Sequence, residues 1–199
     1  MHQSMDFSKE ILLEDERVRL EPLQMTHLEP LSHIAINFPK LLKYSPSPFG
    51  SQEKLKEYIQ GALLARSQQT RYPLAIFDKS TQTYVGSTSF GAVSNFDRRL
   101  EIGWTWLNPS QQGTGLNQQC KQLLLSFAFE TLGFERVEFK TDSRNKQSRR
   151  AIEKTGASLE GELRNHTLLP DGFRRNTVYY SILADEWEAI KTSIFEKKH

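Results

Sequence analysis

Hydrophobic positions recur along the chain with two different periods, and each change of period marks a new predicted element. Alternation of polar and apolar residues predicts about seven strands, at 17–20, 73–77, 85–90, 100–107, 136–141, 158–163 and 176–183. Helical spacing predicts helices over 24–36, 51–63, 116–133 and 148–155, and a last one after 185. We expect Ser51 and Asp185 to cap two of these helices, because their short side chains can accept hydrogen bonds from the first free amides.

The order of these elements predicts an α+β chain, of mixed α/β type, whose helices cover one central sheet. The early strands follow one another through short polar turns, which favours an antiparallel meander. The strand, helix, strand succession over 100–141 favours a right-handed crossover and one parallel pairing instead. No linker-like tract interrupts the pattern, so we predict an irregular extension over 1–14 and a single domain over 15–199.

Composition and charge limit the classes of binding partner and the cellular compartment that the sequence predicts. Lys and Arg total 26 against 24 for Asp and Glu, and this balance argues against direct binding of nucleic acid. The chain has no leader-like start and no apolar run that could span a membrane, and the single Cys120 excludes an internal disulfide. We therefore predict a cytoplasmic protein without membrane contact. His27, His33 and His166 lack metal-ligand spacing, so no metal is predicted.

The segment 112–117, which reads QGTGLN, lies where a strand ends and a helix begins. Gly113 and Gly115 would let consecutive backbone N–H groups converge on one anion, and the helix N-terminus adds partial positive charge. A diphosphate suits this geometry, although a tight turn without any ligand explains the same residues equally well. No Lys-Ser or Lys-Thr follows the glycines and the three-glycine dinucleotide spacing is missing, which excludes the two commonest phosphate motifs.

Two motifs, in the right order, resemble those of one superfamily. The first runs from Gln112 as Gln-x-x-Gly-x-x and departs from the family pattern at Asn117, where a small residue is usual. The second begins at Asn145, with the small residue Ser148 three positions later and Gly156 eleven positions later. Together these motifs resemble the GCN5-related N-acetyltransferase (GNAT) superfamily and, within it, the RimJ/RimL-like branch.

The resemblance extends over about 18–187 and implies a fold and a cosubstrate. It implies a single mixed sheet splayed open between its fourth and fifth strands, with helices on both faces and acetyl-CoA lying in the cleft. On one side of the cleft, the residues expected to bind acetyl-CoA are Trp106, Leu107, Gln112, Gly113, Thr114, Gly115, Leu116 and Asn117. Trp106 and Leu107 would do so through their backbone. On the other side, Asn145 and Ser148 would contact the pantetheine arm.

The reaction that the resemblance implies is direct transfer of acetyl from the CoA thioester to a primary amine. Many relatives protonate the leaving thiolate with a Tyr seven residues after the motif Asn, but this position holds Ile152 here. Ser148, one turn earlier on the same helix face, is the predicted substitute. Glu101 and Glu160 are the candidates for the general base, and either one also fits a solvated strand residue.

The acceptor is predicted only by class, as a protein N-terminus, an amino-acid derivative or another small amine. Its selection would depend on 21–70 and 165–175, which contain polar loops without a recognisable code. Loss of the usual Tyr favours an alternative, a catalytically silent acyl-CoA-binding regulatory module. The basic residues over 144–154 suit cofactor phosphates, an acidic partner or a solvated helix face. Dimers are frequent among proteins that the chain resembles, so a homodimer is one candidate for the oligomeric state.

Overall fold

A computed structural model describes residues 3–196 and contains one eight-stranded sheet. Its strands are β1 Leu13–Glu14, β2 Val18–Pro22, β3 Arg71–Asp78, β4 Thr83–Ser94, β5 Arg99–Leu107, β6 Arg136–Asp142, β7 Ser158–Leu168 and β8 Arg174–Leu183. Its α-helices are α1 Leu28–Asn37, α2 Gln52–Ser67, α3 Leu116–Ser126, α4 Lys146–Glu153 and α5 Ala184–Ile190. Each predicted strand and helix is present with shifted ends. The outermost residues of the predicted ranges, 1–2 and 197–199, lie outside the described residues.

The strands are ordered β1-β2-β3-β4-β5-β6-β8-β7 across the sheet. Pairing is antiparallel from β1 to β5, parallel between β5 and β6, and antiparallel again among β6, β8 and β7. The parallel pair requires a connection that returns across one face of the sheet, and α3 is that connection. The predicted mixed sheet and its single crossover are therefore confirmed, with one strand more than expected.

Helices cover both faces of the sheet, and each face has its own apolar core. On one face, α1 and α2 pack around Leu31, Ile59 and Trp106. On the other face, α3 and α5 pack against the sheet through residues such as Leu124 and Trp187. Burying one side chain of this size removes enough apolar surface from water to contribute roughly 1.5–3 kcal/mol. The two cores fix both helical layers relative to the sheet.

Residues 3–12 contain no helix or strand, but the segment before residue 15 is attached to the core rather than extending from it. β1 pairs antiparallel with β2, and Met5 and Ile11 are buried in the core. The amide of Ile11 also donates a hydrogen bond of 2.9 Å to the Tyr72 hydroxyl. Two residues of strand are too short to show a period, so contacts with distant residues determine this element.

The two predicted helix caps have different outcomes. The Ser51 cap is confirmed, because its hydroxyl oxygen accepts a hydrogen bond of 3.2 Å from the Lys54 amide. The Asp185 cap is wrong, because α5 begins at Ala184, two residues earlier than that cap requires. Instead, the Glu186 carboxylate reaches back and accepts a hydrogen bond of 2.9 Å from the Leu183 amide. A longer acidic side chain in the first turn therefore satisfies the amide that precedes the helix.

Candidate active site

A gap opens in the sheet between β5 and β6. The two strands pair only through their first residues, and Glu101 with Glu138 is their last pair. Beyond it, residues 102–107 of β5 have no neighbouring strand on this side among the described residues. An edge of this kind presents backbone N–H and C=O groups that an extended ligand can bind. The predicted splay is confirmed, and β1 accounts for the change in strand numbers.

A bulge in β5 contributes to this separation. Trp104 has a positive φ of 51°, and β5 carries one extra residue between its pairs with Ser89 and Ser87 of β4. Bulges bend a strand and increase its twist, so β5 diverges from β6 beyond the last shared pair. The Trp104 ring lies over Gly91, where a Cβ would come within 2.4 Å of a ring carbon. Only glycine fits beside the ring in this arrangement.

The loop over 112–115 connects β5 to α3 at the open end of the gap. Gly113 and Gly115 have φ values of +80° and +86°, which residues with a Cβ rarely adopt. A Cβ at either position would meet no other atom within 4 Å, so conformation rather than crowding demands glycine. Among the described residues, the amides of Gly113, Thr114 and Gly115 make no backbone hydrogen bond. Together with the Asn117 amide, which makes no hydrogen bond within the same part of the chain, they form a turn that suits an anion.

Two side-chain contacts hold this loop from opposite directions. The Arg17 guanidinium donates to the Thr114 carbonyl oxygen at 2.9 Å and to its hydroxyl oxygen at 3.2 Å. Gln147 of α4 donates through Nε2 to Oε1 of Gln112 at 2.7 Å. The second contact joins the two sequence motifs across the mouth of the gap. Because both contacts are exposed, each contributes only about 1 kcal/mol or less, but together they restrict the position of the loop.

The backbone groups of β5 point alternately towards β4 and towards the gap. The Asn108 amide donates to the Val85 carbonyl oxygen at 2.7 Å, and a Cβ on Gly86 would lie 2.1 Å from the Trp106 carbonyl oxygen. Both groups therefore face β4, and alternation directs the amide and carbonyl of Leu107 into the gap. This geometry corrects the backbone role predicted for Trp106, whose side chain is buried beneath α1 and α2.

The N-terminus of α4 lies across the mouth of the gap from the loop. The Asn145 Oδ1 atom accepts a hydrogen bond of 3.1 Å from the Ser148 amide, so Asn145 caps the helix. Its amide nitrogen Nδ2 remains as the group that can donate to a ligand. Ser148 is half-buried in the first turn, and Ile152, one turn later, is buried. On this helix face, Ser148 carries a hydroxyl and Ile152 carries no polar group.

Glu101 lies at the apex of the gap, on the face covered by α1 and α2. It is only 7% exposed, and its Oε2 atom lies 2.9 Å from Nζ of Lys140. Burial raises the pKa of the Glu101 carboxyl, and the Lys140 ammonium opposes the rise. Burial also lowers the pKa of Lys140, but the Glu101 carboxylate outweighs this effect and the pKa is raised. A carboxylate with a raised pKa beside a cleft suits a general base.

Glu160 lies at the closed end of the gap instead. Its Oε1 atom accepts a hydrogen bond of 2.6 Å from Arg136 and another from the Ser181 hydroxyl. Arg136 belongs to the first pair of β5 and β6, where the strands are still joined. The hydrogen bonds from Ser181 and Arg136 lower the pKa of Glu160, which makes it a weaker base. Of the two bases predicted from the sequence, the geometry therefore favours Glu101.

Sequence reasoning missed two further side chains at the gap, Lys121 and Thr105. Lys121 of α3 is 5% exposed, and its Nζ atom donates to the Thr105 hydroxyl oxygen at 2.8 Å. The Thr105 and Thr88 hydroxyls are hydrogen-bonded at 2.8 Å. Burial lowers the pKa of Lys121 to about 8. The available signal was its position, since Lys121 lies among apolar residues of the helix, between Cys120 and Leu124.

The two segments predicted to select the acceptor meet beside the second motif. Arg175 of β8 donates to the Tyr44 carbonyl oxygen at 3.1 Å. The Arg144 guanidinium lies 3.6 Å from the centre of the Phe173 ring and 5.4 Å from that of Tyr44. Cation–π contacts of this kind hold an arginine while leaving part of its charge accessible. The loop before α2 and the β7–β8 hairpin therefore form one surface.

The part of the chain that the structure describes gives no evidence for a membrane-spanning helix, a metal site or a cysteine nucleophile. No helix within 3–196 is long and apolar enough to cross a membrane. The same residues contain no group of three or more His, Cys, Asp and Glu side chains placed to hold a metal ion. Cys120 is fully buried, and burial raises its pKa to about 12, so its thiol is unsuited to act as a nucleophile.

Known proteins share this fold and much of this sequence. Residues 17–158 match the family described as Acetyltransferase (GNAT) domain. The chain is 25% identical to the ribosomal-protein-serine acetyltransferase of Escherichia coli (strain K12), over 84% of this chain and 94% of that protein. A crystal structure from T. thermophilus, provisionally described as an acetyltransferase, is 34% identical with a TM-score of 0.85, over 94% of this chain and 97% of that one.

A third relative aligns over a shorter stretch. YdaF of Bacillus subtilis (strain 168), provisionally described as a ribosomal N-acetyltransferase, is 33% identical over 106 residues. This alignment covers 53% of the present chain and 57% of that relative. The fold and the opened sheet thus define a member of the acetyltransferase class. The chain belongs to the GNAT acetyltransferase family, and its relatives assign it to the RimJ/RimL-like branch of N-acetyltransferases.

Proposed function

We propose that this protein transfers an acetyl group from acetyl-CoA directly to a primary amine, and that this amine is the N-terminus of a protein. The observation that carries the proposal is the gap between β5 and β6. A glycine turn that suits an anion lies at its mouth, a strand edge without a partner among the described residues follows one wall, and the Asn145 amide lies on the opposite side. A ligand with an anionic end and an extended arm that bears amides matches these three features.

Acetyl-CoA has this composition, because a diphosphate joins its nucleotide to an arm with two amides and a thioester. The diphosphate would lie against the amides of 113–117, beside Gln112. The arm would follow the edge of β5, where the Leu107 backbone faces the gap, with Asn145 donating from the other side. The thioester would then lie deep in the gap. Helix dipole, free amides and strand edge each contribute modestly, and together they support a specific site.

The residues at the apex of the gap can perform the proton transfers. Glu101 accepts a proton from the attacking amine, directly or through a water molecule. The amine nitrogen bonds to the thioester carbon, the carbon–sulfur bond breaks, and its electron pair leaves with sulfur. The Ser148 hydroxyl donates a proton to the thiolate and recovers one from solvent. The products are an amide and CoA with a free thiol.

The choice of a protein as acceptor rests on the relatives and on one surface. The E. coli relative is named as a ribosomal-protein-serine acetyltransferase. In this chain, the joined surface of the loop before α2 and the β7–β8 hairpin is open and carries Arg144 and Phe173. A surface of this kind can bind an extended peptide more readily than it can enclose a small molecule. The proposal also places the protein in the cytoplasm and gives it a homodimeric state.

A thiol-release assay with acetyl-CoA tests the function. The acceptors are short peptides with a free N-terminal Ser, the same peptides with blocked N-termini, amino acids, polyamines and aminoglycosides. We expect thiol release with the free peptides and none with the blocked ones, and the acetylated nitrogen is identified by mass spectrometry. Activity only on small amines would reject the protein acceptor.

One observation favours a second candidate, a silent acyl-CoA-binding module. Ile152 is buried and apolar at the position where the family's Tyr would serve as the acid. Under this alternative, calorimetry would show binding of acetyl-CoA while no amine in the panel released thiol. Failure of the folded protein to bind acetyl-CoA at all would reject both candidates.

A further inference from the structure

Lys121 is a buried amine that the mechanism described above does not use. It belongs to the second turn of α3, and its side chain extends towards β5 and β6 on the face opposite Glu101. Nζ donates to the Thr105 hydroxyl oxygen at 2.8 Å and lies 5.9 Å from the centre of the Phe139 ring. Thr105 belongs to the part of β5 that has no partner strand, so Lys121 lies beside the gap.

Lys121 has fewer partners than other buried charges. Buried Arg71 also lacks an ion pair among the described residues, but it donates to two hydroxyl groups. The buried carboxylates Glu101 and Asp142 have ion-pair partners at 2.9 Å and 2.7 Å. Among the described residues, Lys121 forms no ion pair, and the neighbouring Cys120 thiol, with its pKa raised to about 12, is uncharged where Lys121 titrates. Burying an ammonium without a carboxylate disfavours the folded state. A hydrophobic residue would pack here at lower cost, so a function must explain the lysine.

Hydrogen bonding points to what that function is. An ammonium carries three N–H donors, and Thr105 accepts the one hydrogen bond that Lys121 makes within the described residues. Asn117 lies one turn earlier on the same side of α3, and its Oδ1 atom is buried without a partner in the same part of the chain. The pair therefore lacks acceptors at Lys121 and a donor at Asn117. A ligand arm that carries two amides supplies a carbonyl oxygen for Lys121 and an N–H for Asn117.

We propose that Lys121 and Asn117 bind the amide-bearing arm of the acyl donor from the α3 side of the gap. Nζ of Lys121 donates to a carbonyl oxygen of the arm, while Oδ1 of Asn117 accepts from an amide N–H. Thr105 holds the lysine against β5. The inference rests on the proposed function, since it assumes an acyl-CoA in the gap. It adds a third wall to the site and gives a reason for a lysine in an apolar layer.

Binding measurements on two ligands test the inference. Acetyl-CoA contains the arm, whereas 3′-phosphoadenosine 5′-diphosphate is the nucleotide part without it. We expect Lys121→Met to weaken acetyl-CoA binding roughly 10- to 100-fold, the usual effect of losing a hydrogen bond to a charged group. The affinity for the nucleotide should not change. Lys56→Met, at an exposed position on α2, is the matched control and should bind both ligands as the wild type does.

The outcomes separate this inference from the proposed function. Equal acetyl-CoA affinity in Lys121→Met and wild type would overturn the role of Lys121 and leave the function standing. An equal loss for both ligands would also overturn it, because the effect would then lie at the diphosphate turn. If wild type binds neither ligand, the proposed function itself fails.

A measurement on the unmodified protein keeps the test independent of whether the variant folds. An acceptor at Nζ stabilises the charged form of Lys121, so acetyl-CoA binding near pH 8 should take up a proton. Calorimetry in buffers of different ionisation enthalpy measures this uptake, which we expect to be roughly 0.3–0.5 proton per site. The nucleotide without the arm should cause no such uptake. Identical proton uptake with the two ligands would contradict the inference.

Discussion

Lys140 and Lys121 approach the same gap from opposite faces of the sheet, and they differ both in their partner and in burial, since Lys140 is half-buried and Lys121 is buried. Lys140 has the Glu101 carboxylate at 2.9 Å, and this partner raises its pKa above the ordinary value. Lys121 has a hydroxyl at 2.8 Å instead, and burial lowers its pKa to about 8. The comparison shows that the partner and the depth of burial together determine how strongly a lysine holds its proton.

Because the two lysines have different partners, the two faces of the gap are suited to different roles. On the α1 and α2 face, Glu101 and Lys140 form a charged pair that is complete without a ligand, and it suits proton transfer at the apex. On the α3 face, Lys121 has hydrogen-bonding capacity that the described residues leave unused. An ion pair that needs no ligand can adjust the pKa of a base, whereas a side chain with unused hydrogen-bond donors is suited to bind a ligand.

The largest expected effect tests the mouth of the gap while both lysines remain intact. Gly115→Glu places a carboxylate where the diphosphate would lie, and repulsion between like charges should weaken acetyl-CoA binding about 1000-fold. Gly115→Ala shares the strain of a side chain at φ +86° without the charge, and it should lose far less affinity. Calorimetry measures both variants. Similar losses in the two would show that strain, rather than charge, is responsible.

The next prediction removes the carboxylate that distinguishes the two lysines. Glu101→Gln should lower kcat about 100-fold, as loss of a general base does, and abolish the acid limb of the kcat profile against pH. The pKa of Lys140 should fall, because burial is then opposed only by the smaller effects of Tyr179 and Glu138. NMR titration of the lysine amine measures this shift. Glu160→Gln is the control, and a greater loss of kcat there would reverse the assignment of the base.

The third prediction concerns stability against pH on the α3 face. The folded pKa of Lys121, about 8, lies below its ordinary value of 10.5, so between these values the unfolded chain binds more protons. Folded wild type should therefore gain stability as pH rises through this range. Relative to Lys121→Met, the free energy of unfolding should rise by roughly 2 kcal/mol between pH 8 and 10. If the free energies of unfolding of the two proteins changed equally with pH over this range, this result would show that Lys121 keeps its ordinary pKa.

The smallest expected effect concerns the acid. A thiolate is a stable leaving group near neutral pH, so loss of its proton donor should matter less than loss of the base. Ser148→Ala should lower kcat about fivefold and leave the KM for acetyl-CoA unchanged. Steady-state kinetics measure both constants. Unchanged kcat would remove Ser148 from the mechanism, and an increase in KM alone would make it a binding residue.

Sequence patterns predicted the parts of this protein that depend on neighbouring residues. The strands and helices follow hydrophobic period, the Ser51 cap follows from its side chain, and the Gly113 and Gly115 turn follows from glycine's access to positive φ. Contacts between distant segments escaped prediction. These include β1, the hydrogen bonds of Arg17 to Thr114, and the burial of Lys121.

The backbone role of Trp106 shows why such contacts escape. Alternation along β5 assigns each residue to a face or an edge, and the bulge at Trp104 inserts one extra residue that shifts every later assignment. The alternation of polar and apolar residues in the sequence does not reveal this extra residue. Thr105 therefore faces α3 and reaches Lys121, and the Trp106 carbonyl faces β4 rather than the gap.

The sequence by itself determined the order of elements, the parallel crossover and the glycine turn before α3, because each depends on residues close together in the chain. The family resemblance implied where the sheet opens, whereas tertiary structure alone decided which carboxylate lies at the apex of the gap and which lysine lacks a counter-charge. These features depend on strand register and on burial. Strand register and burial both arise from packing between segments that are far apart in the chain. The hydrophobic period of one segment does not indicate which other segment packs against it.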